Sequence, residues 1–205
     1  MERRVISMAW DGGVKHERRA LAERVIDHFA PSLPDLRLTV ILDGSDWWEL
    51  KEIGSENRGM FRLVNTDHIF DEPKWPLNLM EIVAPFDVMT GKFIPSCDAA
   101  VYLHNSTCGS VESLTMTLAH ELQHAVQYAH QRRVWAYNGV DLRFLEMCSS
   151  TFGLEWKDIP IEREARSFAK RVCVDSLGSQ ATAGYIENRI AANVNGVVPW
   201  AETNR

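Results

Sequence analysis

The pattern of apolar and polar positions predicts helices separated by short strands. In the helical segments apolar side chains recur every three or four residues, whereas the strand segments are short runs rich in branched residues. The predicted helices cover residues 15–30, 110–130, 141–152, 159–178 and 181–192. The predicted strands cover residues 36–42, 61–64, 79–83 and 99–104. A first helix followed by a strand predicts an α+β arrangement in which helices pack on a sheet.

Residues 110–130 carry the clearest helical pattern. Ser110 follows Gly109 and is predicted to cap the helix, and Glu112 lies close to the positive helix end. The apolar residues of the segment share one face, which predicts a buried helix: Leu114, Leu118, Leu122, Ala125, Val126 and Ala129.

Residues 45–97 show no helical pattern and are interrupted by proline and glycine. Because the segment is rich in aromatic and branched residues, we interpret it as a folded elaboration that carries substrate-side loops, not as a linker. Most of its tryptophans are expected to pack against the sheet.

The composition predicts one domain that spans residues 1–205, since 45% of the 205 residues are hydrophobic and 24% are charged. A formal charge of −6 argues against nucleic acid as a partner. No apolar run approaches the roughly 18 residues of a membrane span, and the first residues lack a signal-peptide core. The cysteines form no CxxC pair, so we expect a protein of the reducing cytoplasm; they are Cys97, Cys108, Cys148 and Cys173. The sequence gives no indication of the oligomeric state.

The sequence His120-Glu121-Leu122-Gln123-His124 lies in the middle of the 110–130 helix. Residues four apart lie on the same helix face, so His120 and His124 can bind one metal ion together. Glu121 projects beside that pair, where its carboxylate can take a proton from a water near the metal. The HExxH pattern in a buried helix therefore predicts a hydrolytic zinc site.

Zinc requires a third protein ligand, and several residues are candidates. His130 lies ten residues after His120, but a continuous helix would place it about 9 Å further along the axis than His124. The carboxylates of Glu146, Glu162 and Glu164 are the other candidates. Each of them can also be an ordinary surface carboxylate on a charged helix.

The chain resembles zincin metallopeptidases at HExxH and again at residues 161–169, IEREARSFA. The second segment is similar to the glutamate helix of compact gluzincins, including minigluzincins and peptidases of the ImmA/IrrE type. Glu162 falls on their ligand position, although Arg166 stands where they usually have Asp or Asn. Glu146 lies near the spacing of thermolysin-like enzymes, with Ser150 in place of their usual aspartate. We favour Glu162, and the alternatives stay open.

The resemblance implies a zincin-like α+β fold, in which a small mixed sheet packs on the HExxH helix and a helical part follows. It also implies that the strand at residues 99–104 lies at the sheet edge beside the cleft, where a substrate peptide can add as a further strand.

The leading functional hypothesis is a zinc-dependent endopeptidase that acts on a protein or peptide substrate, with Zn²⁺ held by His120, His124 and Glu162 and with Glu121 as general base. The candidates for the donor that stabilises the oxyanion are Tyr185, His104 and Tyr128. The alternative is a non-catalytic regulatory or interaction protein of zincin fold that retains a metal site. A third hypothesis is a metal-free core in which hydrogen bonds satisfy both histidines.

Overall fold

The computed structural model describes residues 6–10, 14–33, 37–42, 59–63, 86–87, 92–93, 99–104, 106–130 and 160–191. Within these ranges the chain forms six strands and four α-helices. The strands are β1 (Ile6–Trp10), β2 (Leu38–Leu42), β3 (Gly59–Leu63), β4 (Phe86–Asp87), β5 (Lys92–Phe93) and β6 (Ala99–Leu103). The α-helices are α1 (His16–Phe29), α2 (Val111–His130), α3 (Pro160–Leu177) and α4 (Ser179–Ala191).

The main sheet has the strand order β1-β2-β6-β3. β1, β2 and β6 are parallel, and Val40 of β2 lies between Met8 of β1 and Val101 of β6. β3 pairs antiparallel with β6, with Phe61 opposite Val101. The α+β class and the mixed sheet are therefore confirmed. β4 and β5 form a separate two-stranded pair.

The expectation that the strand at residues 99–104 lies at the sheet edge was wrong. β6 is an interior strand between β2 and β3, and all five of its residues are buried. The strand that ends this side of the described sheet is β3, which overlaps the strand predicted at residues 61–64. Burial on both faces explains why Ala99–Leu103 is a continuous apolar run without alternation.

β1 was not predicted from the sequence. Ile6, Ser7 and Met8 are only partly buried, and the polar Ser7 interrupts the apolar residues. The strand therefore lacks the continuous apolar run that is typical of a central strand. It pairs with β2 alone among the described strands, and Ser7 and Thr39 hydrogen-bond through their hydroxyl oxygens at 2.9 Å. Together with α1, these two strands form a β-α-β unit with a parallel pair.

α2 packs against the sheet, α1 and α3. Its predicted start is confirmed, because the backbone N–H of Ser113 donates to the hydroxyl oxygen of Ser110 at 3.0 Å. Fully buried side chains from both layers join one core, among them Leu118 and Leu122 of α2 with Val40 and Val101 of the sheet. The HExxH helix is therefore fixed along its length by the packing of its apolar face.

α3 begins at Pro160, within one residue of the start of the helix predicted at residues 159–178, and proline has no backbone N–H to lose in the first turn. It ends before Gly178, whose φ of 91° is accessible to glycine at little cost. The backbone N–H of Gly178 donates to the carbonyl oxygen of Val174 at 2.8 Å, and α4 follows at once. The predicted helix at 141–152 and the predicted strand at 79–83 lie outside the described residues.

Candidate metal centre

His120 and His124 meet on one face of α2. Their ring centroids are 4.6 Å apart, and the two Nε2 atoms are separated by 3.1 Å. This arrangement follows from their four-residue spacing, which places side chains one helical turn apart. His124 is only 5% exposed, and the His120 side chain is 16% exposed. The pair is therefore largely shielded from water.

The carboxylate of Glu162 completes a three-residue cluster. Its Oε1 lies 3.2 Å from Nε2 of His124, and its Oε2 lies 3.3 Å from Nε2 of His120. Glu162 stands in the first turn of α3, where the helix dipole favours a negative charge. The packing of α3 along α2 thus brings together the three residues that sequence analysis favoured as metal ligands.

The spacing of these ligand atoms fits a single metal ion. Atoms bound to zinc at about 2.0–2.1 Å in a tetrahedral arrangement are about 3.3 Å apart. The two Nε2 atoms are 3.1 Å apart, and each lies 3.2 or 3.3 Å from a different oxygen of Glu162, so one atom from each residue lies within 4.8 Å of the others. Two imidazole nitrogens and one carboxylate oxygen are also a donor set typical of catalytic zinc sites. The cluster of His120, His124 and Glu162 is therefore a place that could hold a metal ion.

Electrostatic coupling holds the cluster in a charged state when no metal is bound. Burial disfavours the imidazolium of His124, but hydrogen bonding and attraction to Glu162 outweigh this and raise its pKa to about 9. Burial likewise opposes the carboxylate of Glu162. Hydrogen bonds from His120 and His124 nevertheless bring the pKa of Glu162 well below its ordinary range. A metal ion would therefore replace a proton on His124.

Glu121 lies beside the cluster and is not part of it. Its side chain is 8% exposed, and burial raises the pKa of its carboxyl above the ordinary value. The backbone N–H of Phe61 in β3 donates to this carboxylate. Gly59, two residues earlier in β3, has no side chain to compete for the same space. The carboxylate of Glu121 thus lies between its own helix, α2, and β3.

Gln127 connects His124 to the first turn of α3. Its Oε1 lies 2.9 Å from Nδ1 of His124. Its Nε2 donates to the carbonyl oxygen of Ile161 at 3.1 Å and to Oε2 of Glu164 at 3.0 Å. The side-chain contact to Nδ1 of His124 is therefore made by a residue of the same helix, α2. Arg166 instead faces Glu162, with Nη1 3.8 Å from Oε2.

The other candidate ligands lie elsewhere or outside the description. Nε2 of His130 lies 2.9 Å from the carbonyl oxygen of Ser32, at the end of the turn that follows α1. The continuous helix accounts for this position, because nothing turns the chain back toward His124. The carboxylate of Glu164 accepts from Gln127. Glu146 lies outside the described residues, as do Cys97 and Cys148.

The three residues considered as oxyanion donors have other contacts. Arg189 donates to the hydroxyl oxygen of Tyr185 at 2.9 Å, and Nδ1 of His104 lies 2.7 Å from the hydroxyl of Ser106. Tyr128 is buried and packs against Phe61, with ring centroids 6.2 Å apart. None of the three belongs to the ligand cluster found in the described part of the chain.

Sequence analysis missed Gln127, Gly59 and Phe61. A signal existed for Gln127, because it lies three residues after His124 and therefore on the same helix face. Gly59 and Phe61 belong to a short strand whose place beside Glu121 depends on pairing with β6, and no local pattern encodes that contact.

Comparison with known proteins finds no match for the chain. No family model matches the chain, no curated protein matches it, and no solved structure matches it. Within the described ranges, none of the helices combines the length and the hydropathy that a membrane span requires. The functional argument consequently depends on the geometry of the site.

Proposed function

We propose that this protein is a zinc-dependent endopeptidase of zincin type. The observation that carries the proposal is the position of Glu121, a buried carboxylate beside a cluster of two histidines and a glutamate that could hold a metal ion. A structural metal site has no need of a carboxylate next to its ligands. A hydrolytic site needs one, because water must lose a proton as it attacks.

In this proposal His120, His124 and Glu162 hold zinc, which supplies Lewis acidity toward water and toward the scissile carbonyl. Glu121 takes the proton of the attacking water and passes it to the leaving amine. Its raised pKa suits the first step, since a carboxylate with a higher pKa is a stronger base toward the proton of water. The N–H of Phe61 holds the carboxylate in position between the two steps.

β3 supports a peptide as the substrate. It pairs with β6 on one side, and no other described strand pairs with it. An extended peptide can add to such a strand through backbone hydrogen bonds, independently of most side chains. Since Gly59 and Phe61 of β3 contact Glu121, a peptide bound along this strand would run past the general base.

The test compares zinc content and peptide hydrolysis in the wild type and in Glu121→Gln, His120→Ala and Glu162→Gln, all purified without chelator. Quenched-fluorescent peptide mixtures serve as the substrate. We expect about one zinc per chain in the wild type and in Glu121→Gln, and zinc loss in the other two variants. Hydrolysis should fall by about 10²–10⁴ in Glu121→Gln. Glu112→Gln, in the first turn of the same helix, is the matched control and should behave as the wild type.

Two results would contradict the proposal. A wild type that takes up no zinc even when zinc is supplied would contradict the assignment of the metal site. Hydrolysis that persists in Glu121→Gln would show that Glu121 is not the general base. A protein that binds zinc through the three ligands but cleaves no peptide would fit the alternative, a non-catalytic regulatory or interaction protein that keeps the metal site.

A further inference from the structure

Gln127 makes three hydrogen bonds that join the two ligand-bearing helices. Its side chain is buried, at 6% exposure, and contacts Nδ1 of His124, the carbonyl oxygen of Ile161 and the carboxylate of Glu164. Ile161 and Glu164 lie on either side of Glu162 in the sequence, near the start of α3. A single amide group therefore lies between the ligand of α2 and the turn that supplies the ligand of α3.

The two acceptors on α3 determine which way the amide faces. A backbone carbonyl oxygen and a carboxylate oxygen accept hydrogen bonds and cannot donate them. Both lie within 3.1 Å of Nε2 of Gln127, and an amide nitrogen has two hydrogens to donate. The nitrogen must therefore face α3, and the amide oxygen must face His124.

The orientation of the amide in turn determines which ring nitrogen of His124 keeps its hydrogen when the ring is neutral. The amide oxygen of Gln127 can only accept, so Nδ1 of His124, 2.9 Å away, must carry a hydrogen. In the neutral ring Nε2 is then the nitrogen with a free lone pair, and Nε2 is the atom directed at His120 and Glu162. The tautomer that a metal requires is thus set by acceptors on the neighbouring helix.

We propose that Gln127 is a positioning residue of the metal site, which transmits the polarity of Ile161 and Glu164 to His124 and so prepares Nε2 to bind metal. The proposal rests on the metal site of the proposed function and adds what selects the ligand tautomer. In other zinc sites, a carboxylate or a backbone carbonyl oxygen accepts from the second ring nitrogen of the ligating histidine, and Gln127 has this role here.

Zinc affinity, measured near neutral pH by competition with a chromophoric chelator, tests the proposal without recourse to catalysis. Gln127→Met keeps the length of the side chain but removes its acceptor, and it should weaken zinc binding by about 10–100-fold. Gln123→Met is the matched control, because Gln123 is an equally buried glutamine one turn earlier on α2. It should bind zinc as the wild type does.

A polarity swap distinguishes this role from a purely structural one. Gln127→Glu keeps an acceptor for His124 but places a carboxylate against the carbonyl of Ile161 and the carboxylate of Glu164, so zinc affinity should fall. When Glu164→Gln is added, the new amide at position 164 can donate to the carboxylate at position 127. The double variant should bind zinc at least about threefold more tightly than Gln127→Glu. Glu164→Gln alone should weaken zinc binding less than Gln127→Met does, because its amide oxygen and the carbonyl oxygen of Ile161 can both still accept from Gln127.

Each outcome bears on the proposal. Wild-type affinity in Gln127→Met, with zinc lost in His120→Ala, would overturn the role of Gln127 and leave the proposed function intact. A wild type that binds no zinc would overturn both. If Gln127→Met does not fold, as judged by circular dichroism of the metal-free protein, the swap decides: rescue in the double variant supports the proposal, and equal affinities of the single and double variants overturn it.

Discussion

Gly59 of β3 leaves the space that the side chain of Glu121 occupies. A Cβ atom at position 59 would lie 2.9 Å from Cγ of Glu121 and 2.7 Å from Cγ2 of Thr117, both closer than carbon atoms can approach without displacement. Glycine is therefore needed here for close approach between strand and helix, and the need arises at the residue that we propose as the general base.

Gly59→Ala is expected to shift Glu121 or β3 and to reduce kcat/KM for peptide hydrolysis by up to about 100-fold, since small displacements of a catalytic group are costly. Zinc content should stay at the wild-type level, because the atoms nearest to the added methyl group belong to Thr117 and Glu121 and not to the three ligands. The measurements are steady-state kinetics and metal analysis on the same preparation.

Gly184→Ala is the matched control for this substitution. A Cβ atom at Gly184, within α4, would meet nothing within 4 Å, so the alanine should be neutral or slightly stabilising. Undiminished hydrolysis in Gly59→Ala would show that β3 can move away from Glu121 without consequence for the reaction.

Glu162 and Glu164 provide a second comparison, two carboxylates in the same turn of α3 with different contacts. Glu162→Gln should weaken zinc binding by at least about 100-fold, because the variant loses a charged ligand next to His120 and His124. Glu164→Gln should change zinc affinity by less than about threefold. Chelator competition measures both. Equal losses in the two variants would contradict the assignment of Glu162 as the ligand.

The parts of this arrangement that depend on spacing along one helix were predictable. His120, Glu121 and His124 follow from helical periodicity, and the buried face of α2 follows from its apolar residues. The start of α3 at Pro160 was predictable from the preference of proline for the first helical turn. Glu162 was favoured through a resemblance, and the structure brings its carboxylate to the two histidines.

The parts that depend on contacts between distant segments were not predictable. The order β1-β2-β6-β3 places the strand at residues 99–104 inside the sheet and the strand Gly59–Leu63 at its side. The apolar run Ala99–Leu103 agrees with an interior strand, but no local pattern states which strands pair with it. The role of Gln127 likewise depends on what Ile161 and Glu164 present to it across 34 and 37 residues. Neither relationship leaves a periodic signal.

His130 tests the alternative in which a third histidine binds the metal. His130→Ala should leave zinc content unchanged, because the ring of His130 contacts the carbonyl oxygen of Ser32 and is absent from the ligand cluster. It should lower the free energy of unfolding by about 1 kcal/mol or less, since the lost hydrogen bond is exposed to water. Urea denaturation and metal analysis measure the two effects. Loss of zinc in this variant would favour a three-histidine site.

The charged state of the metal-free cluster predicts how stability depends on pH. The pKa of His124 is raised from 6.5 to about 9, so its contribution to stability is complete below about pH 6.5 and is lost as the pH rises through about 9. The pKa of Glu162 is lowered, so its contribution is complete above about pH 4.5 and is lost as the pH falls below that value. Burial raises the pKa of Glu121, so its contribution is complete below about pH 4.5 and declines as the pH rises above that value.

The metal-free protein should therefore lose stability between about pH 6.5 and 9, by of the order of 3 kcal/mol from His124. Urea denaturation at a series of pH values, in the presence of chelator, measures the change. In Glu162→Gln the imidazolium of His124 has lost its partner, so the decline over this range should largely disappear. An equally steep decline in Glu162→Gln would show that Glu162 does not hold His124 in its charged form, and that the ion pair does not cause the pH dependence.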